Sequence, residues 1–382
     1  MNWKAISCAL FLSFVYLTGD SVSAQDDISS DSIAIGGLVP SGETRIVIAK
    51  EVLRIGDGVV IDYDFRNDTD QDVTTEVSIP LPPYGIQGNW DEIELSRHSF
   101  QDIRTWVDGK PLAIRTEAKA FLKDKDVTNI LEANHIDIPS FGHLERVRYG
   151  MVASVPPDYA RLPSAEKRRL QEAGILHEKG YSYYTVHLQY HWSQTFPARS
   201  MVHIRQEYGL ATGYIMDLLP AAVRDSLTPS GADLSTYTSD EQTQVEMLAG
   251  FCADRPFLTT LASQFRESDF QAKSLYEYQV PGDHGCATER ISISPTWVDF
   301  IITSANAWQR PIEDFTLIIE RGKPEQGGKR LISFCSPGNG KVEKLDSDRF
   351  QVHLTNFVPT SELRIGFFDV PLPKPAQPSA AK

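Results

Sequence analysis

The chain has 382 residues, with 51 acidic against 37 basic side chains and a net charge of −14. A field of that sign repels phosphate backbones and anionic lipid heads, and no Lys/Arg-rich run offsets it locally, so nucleic acid and anionic membranes are poor partners and no nucleic acid is expected to bind. A chain of this length can bury an ample core, as about two domains or as one large all-β unit.

The first 24 residues read as a cleavable secretory signal. Lys4 gives the charged start, Ala5 to Gly19 carry no charge, and Val22-Ser23-Ala24 supplies the small residues before a cut between Ala24 and Gln25. A spanning helix needs about 20 apolar residues, and Asp20 closes this run early. Cys8 lies inside the run, where a lipid-modified cysteine would have to follow it. The mature protein is therefore expected to be extracytoplasmic, in periplasm or medium, without a stable membrane anchor.

Strands follow. Val59, Ile61, Tyr63 and Phe65 alternate with polar neighbours, as do Val73, Thr75, Val77 and Ile79, and the polar stretch Asn67 to Asp72 between them predicts two antiparallel strands joined by a loop. Pro80-Leu81-Pro82-Pro83 ends the second, and Asp108-Gly109 marks a tight turn. Short helices are predicted at Asp126 to Asn134, Ser164 to Gly174, Asp240 to Ala249 and Asp254 to Phe265. Alternation returns at Tyr184 to Trp192, Phe315 to Ile319, Phe350 to Leu354 and Leu363 to Phe367, with Gly-rich turns at Gly322 to Gly328 and Gly338 to Gly340.

The pattern predicts a mainly β protein, with antiparallel β-sandwich-like domains and short helical insertions. Its divisions are a signal at 1–24, an N-terminal β domain at 25–155, a helical connection at 156–180, and a C-terminal β domain at 181–370 carrying a helical insertion at 240–266. A Pro/Ala-rich tail at 371–382 is expected to be disordered.

Motifs that carry chemistry are few. The glycine-lysine stretches at Gly327-Gly328-Lys329 and Gly338 to Lys341 lack phosphate-loop spacing and read as hairpin turns. His177-Glu178 lacks the second histidine of a zinc-protease helix, and no Gly-x-Ser-x-Gly elbow is present. Asp68, Asp70 and Asp72 alternate like a calcium loop, but Val73 and Ile79 stand where glycine and glutamate are needed. His187 and His191 share a strand face yet lie about 13 Å apart along it. With a turn at Thr195-Phe196-Pro197, His203 comes within diagonal reach, so His191, His203 and Glu207 form a candidate zinc or copper set; the bland reading is a polar outer sheet face. No cofactor is expected.

Cleavage of the signal leaves Cys252, Cys286 and Cys335. An odd number in an oxidising compartment implies one bridge and one leftover thiol. Of the three pairings Cys252–Cys335 is favoured; three reduced, buried cysteines are the alternative.

Taken in order, Asp31 to Val39, Tyr63-Asp64-Phe65-Arg66-Asn67, Asp72-Val73-Thr74-Thr75, Pro80-Leu81-Pro82, Val107-Asp108-Gly109-Lys110, Trp192 to Ala198, Ala305-Asn306-Ala307-Trp308, Pro311 to Phe315 and Ser333-Phe334-Cys335 resemble the exported bacterial family catalogued as domain of unknown function 4424. The resemblance covers about residues 30 to 368. It implies a bacterial, signal-bearing protein with cysteines near 252 and 335, departs from the family at Cys286, and brings no assigned activity. A fainter likeness of β-sandwich layout links the chain to the N-terminal domain of inter-alpha-trypsin inhibitor heavy chains. Trp192, Phe196 and Trp308 among the matched motifs form a candidate binding surface. The expected function is a non-catalytic envelope protein that binds another protein or a polymer. The alternative is an extracytoplasmic hydrolase, metal-assisted through His187, His191, His203 or Glu207.

Overall fold

The computed structural model describes residues 29–30, 35–42, 45–81, 83, 103–138, 144–147, 150–153, 161–176, 183–210, 212–215, 217–228, 238–266, 269–270, 291–309, 311–324 and 328–371. The expected signal, Cys286 and residues 372–382 lie outside them.

Alternating sequence becomes strand. The longer strands are β1 (Ile46–Ile55), β2 (Val59–Asn67), β3 (Val73–Pro80), β4 (Arg104–Val107), β5 (Arg115–Leu122), β6 (Thr185–Phe196), β7 (Met201–Tyr208), β8 (Thr212–Ile215), β9 (Pro295–Ile301), β10 (Ile312–Glu320), β11 (Lys329–Phe334), β12 (Val342–Lys344), β13 (Arg349–Phe357) and β14 (Leu363–Val370). In β2 every second residue from Val59 to Asn67 is buried, as period-two patterning requires of a half-buried strand. The helices are α1 (Thr128–Ala133), α2 (Ser164–Glu172), α3 (Pro220–Ser226), α4 (Ser239–Gly250) and α5 (Arg255–Ala262). Thr238 and Glu241 close a capping box on α4, and Asp254 caps α5 by accepting from the Phe257 amide at 2.8 Å. Helix α3, opened by Pro220 at its first turn, has no counterpart among the predicted helices.

An eight-stranded sheet runs β12-β13-β10-β1-β2-β7-β4 and ends on Lys110–Pro111; its pairs are antiparallel except β10 with β1. A six-stranded sheet holds β8-β9-β14-β11, with Ser29–Ser30 beyond β8 and Ile35–Gly36 parallel to β9. A five-stranded sheet holds β5-β6-β3 between Lys125–Asp126 and Val39–Pro40. The main core gathers Leu53, Phe65, Ile204 and Phe315 of the eight-stranded sheet, Val77 and Trp192 of the five-stranded, and Phe300 and Ile365 of the six-stranded. The eight-stranded sheet thus lays one face against both others. Helices α3 to α5 cover the opposite face of the six-stranded sheet through Val223, Leu248 and Leu261 against Trp297 and Phe368. Helices α1 and α2 pack Leu131 and Leu170 on Ala120 and Val186 of the five-stranded sheet.

The architecture is the predicted mainly β sandwich with short helices, but its pairing differs from the sequence reading. The segments 25–155 and 181–370 share one sheet, since β1 pairs with β10, and share one core. Strands β2 and β3 do not pair with each other; they lie in different sheets, as do β6 and β7. Instead β2 pairs with β7 and β3 with β6, so that a two-stranded ribbon bends across the edge of the sandwich at residues 67–72 and 197–200. Buried Asn67 holds the bend. Its amide nitrogen donates to the carbonyls of Gln71 and Phe196, each at 2.8 Å, and its oxygen accepts from the Thr69 amide and hydroxyl.

The Gly-rich stretches near 322–328 and 338–340 likewise carry the chain between sheets, from β10 to β11 and from β11 to β12, and are not hairpin turns. True tight turns are Gly56-Asp57-Gly58 between β1 and β2, and Asp108-Gly109, whose φ angles of 48° and 75° suit a hairpin turn of the primed type. Cys252, just past α4, is disulfide-bonded to Cys335, just past β11, with Cα atoms 4.9 Å apart. The bridge ties the helical layer to the six-stranded sheet.

Candidate functional site

The predicted metal set is dispersed. His191 lies on β6, its Nδ1 3.2 Å from Glu76, which also accepts from Arg115. His203 lies on β7 in another sheet, its Nδ1 2.9 Å from Asp64. Glu207 accepts from Arg205 and Arg104. His187 is exposed beside the Phe121 ring, with centroids 4.6 Å apart. The expected β6–β7 hairpin, which would have made His191 and His203 neighbours, is replaced by the crossing at 197–200, and the metal reading is withdrawn with it. Among the described residues no group of three His, Cys, Asp or Glu side chains is placed to hold a metal ion. Asp68, Asp70 and Asp72 bind Arg66, Arg199 and the Ala198 amide, and so brace the bend.

The predicted binding surface is core. Trp192, Phe196 and Trp308 are at most 4% exposed. The Phe65 ring lies 4.4 Å from Trp308 and 5.7 Å from Phe196, and the Trp308 indole N–H donates to the Leu38 carbonyl at 2.8 Å. Their positions beside turns resemble exposure, but the bend turns Phe196 into the sandwich interior, where Trp308 packs against it with ring centroids 6.1 Å apart. Each ring gains about 2–3 kcal/mol from burial, which keeps it inside.

Another polar group is interior. Glu51 is 2% exposed, with one carboxyl oxygen unpartnered among the described residues, and burial pushes its pKa up to about 8. The buried Tyr63 and Tyr208 phenols are raised well above 10, first by burial and then by Glu51. Nothing in the sequence around Glu51 sets it apart from the surface residue Lys50.

The site with room for a ligand is the open end of the sandwich between the six- and eight-stranded sheets. Strand β9 shows how it arises. Phe300 and Val298 face the main core; two residues on along the same face comes Thr296, and then Ser294 and Ser292 in the extended chain before β9. Strand β14 repeats the change, from Leu363, Ile365 and Phe367 to Asp369, and β11 from Phe334 and Ile332 to Arg330. Strand β8 adds Thr212 and Tyr214, with Tyr214 directly opposite Thr296. The Gly56-Asp57 turn forms the far lip.

These residues enclose a cleft of about 610 Å³, within the range of small-molecule sites. Arg330 donates twice to Asp369, at 2.6 and 2.9 Å, and its guanidinium lies over the Phe367 ring. A side chain at Gly322, where φ is +65°, would meet the Asp57 carboxylate at 2.6 Å and Arg330 at 3.2 Å; this glycine gives Asp57 its room beside the guanidinium. The Ser292 hydroxyl donates to Asp217. A larger depression of about 800 Å³ lies between α1 and α2, with His135, Arg161 and Glu166 in its lining. The polar end of the sandwich is the better-defined candidate. Sequence reading missed it because serine, threonine and aspartate at strand ends look like any turn.

A solved structure from Legionella pneumophila subsp. pneumophila str. Philadelphia 1, of a protein proposed to bind nutrients, is similar to this chain at 11% identity, with a TM-score of 0.41, over 89% of this chain and 72% of that one. No curated protein matches. Among the described residues no helix is long and apolar enough to cross a membrane. The family model described as Domain of unknown function (DUF4424) matches residues 25–365, nearly the whole length, and the chain belongs to that family.

Proposed function

We propose that this is an exported, non-catalytic envelope protein whose ligand, another envelope protein or a polymer, docks in the polar end of the sandwich. The observation that carries the reading is the change of polarity along one face of β9, β11 and β14. Core positions give way to hydroxyl, carboxylate and guanidinium groups where the sheets part. The described lining contains no histidine, cysteine or lysine; the base paired with a serine there is the Asp217 carboxylate, which accepts from Ser292, and a carboxylate is a weaker base than the histidine or lysine that ordinarily activates such a nucleophile. The hydrolase alternative rested on His187, His191, His203 and Glu207, which lie on two sheets and do not line this cleft.

Export is supported by the signal-like start, by the family match beginning at residue 25, and by a disulfide of the kind that persists in oxidising compartments. N-terminal sequencing of the exported protein should begin at Gln25. For the site, a photo-crosslinking residue at Ser294 should give light-dependent adducts with an envelope component, and the same residue at exposed Thr195 should not. Adducts at neither position would overturn the reading, and turnover on a hydrolase panel would favour the alternative.

A further inference from the structure

The chemistry of the cleft restricts what it can hold. Asp57, Asp217 and Asp369 only accept hydrogen bonds, and one cation, Arg330, stands among them in the described lining. Three carboxylates against one guanidinium, on a chain of net charge −14, repel phosphate, sulfate or carboxylate ligands. A cationic ligand meets a site already compensated in part, because Arg330 binds Asp369 in bidentate fashion and has Asp57 close by.

What the cleft presents in repetition is hydroxyl. Ser292, Ser294 and Thr296 project from one face along about 13 Å of extended chain, and Thr212 and Tyr214 stand on the neighbouring strand. Each hydroxyl has one donor and two acceptor positions, so a bond inside the protein leaves capacity for another. A peptide offers one donor and one acceptor per residue and is matched best by a backbone edge. The hydroxyl array here is made of side chains on β8, β9 and the extended chain that leads into β9. A ring carrying adjacent hydroxyls, each donor and acceptor, matches such an array, and its C–H face matches the apolar part of the lining at half-buried Leu210.

We infer that the cleft binds a short uncharged saccharide segment. The inference rests on the proposed binding role and names its ligand class.

The test is calorimetric titration of the full mature chain with maltotriose, cellotriose, N,N′,N″-triacetylchitotriose, a sulfated tetrasaccharide and trilysine. At least one neutral trisaccharide should bind, the sulfated sugar and trilysine should not, and Ser294→Ala with Thr296→Val should weaken binding by about tenfold or more, the loss of roughly 1.4 kcal/mol. Thermal melts of the double variant check that it folds, and Tyr214→Phe, which removes one hydroxyl with little change of shape, provides a second variant. Trilysine binding that is lost in Asp217→Asn, with no heat from the neutral sugars, would overturn the saccharide inference and leave the binding role standing. No binding by any probe, with light-dependent capture at Ser294 retained, would also overturn the saccharide inference alone. No binding and no capture would overturn both.

Discussion

The side-chain amide of Asn67 donates to the main-chain oxygen of Phe196 at 2.8 Å, joining two sheet crossings that lie 129 residues apart. The same nitrogen holds Gln71, and the side-chain oxygen holds Thr69. Asn67→Ala would leave buried carbonyls without a donor, at about 2–3 kcal/mol. Asn67→Asp should cost at least as much, since a carboxylate cannot donate to Phe196. Chemical denaturation checks this, and a loss under about 0.5 kcal/mol for both variants would mean that the bend holds without the amide.

Glu51 makes stability depend on pH with a defined sign. Its carboxyl ionises near 4.5 in the unfolded chain and near 8 in the fold. Between those values the folded state keeps a proton that the unfolded state has released, so stability falls as pH rises from about 4.5 to 8 and levels off above. The slope approaches about 1.4 kcal/mol per pH unit. The facing phenols of Tyr63 and Tyr208 stay neutral throughout, their pKa values lying well above 10. Glu51→Gln should be more stable than the parent at pH 8 and should flatten this part of the profile; parallel profiles for the two proteins would refute it.

The Cys252–Cys335 bridge closes a separation of 83 residues, for which chain entropy gives about 4–5 kcal/mol. Cys252→Ser and Cys335→Ser should each lower the Tm, and the double variant should be no worse than either single one. Additive losses in the double variant would show that the two sulfurs act independently.

A Cβ at Gly37 would stand 2.5 Å from the Tyr63 phenol oxygen and 3.1 Å from the Ser304 hydroxyl. Tyr63 is 2% exposed and has little room to retreat. Gly37→Ala should therefore destabilise by about 1–3 kcal/mol. In a Tyr63→Phe background, where the oxygen is gone, the same change should cost clearly less. Equal costs in both backgrounds would locate the strain elsewhere.

Much of the local structure was legible in the residues. The alternation from Val59 to Phe65 and from Phe315 to Ile319 marked strands and the faces they bury, because strand side chains point alternately to the two sides. Asp254 marked the start of a helix through its free backbone donors, and Asp108-Gly109 marked a turn that needs positive φ. The favoured cysteine pair is joined in the structure. Composition and the apolar first segment defined the expectations of export and of poor affinity for anions.

Which strands pair was decided only in three dimensions. A period of two assigns faces but names no partner, and the polar stretch 67–72 serves a hairpin or a crossing equally well. The crossing prevails because it lets both faces of the interior close over Phe65, Phe196 and Trp308 together, a gain that no local segment carries by itself. That choice separated His191 from His203, buried the aromatic residues that looked like a surface, and left the ends of β9, β11 and β14 to form a polar cleft. Its residues come from positions 56 to 371, and only the packing of the sheets brings them to one place.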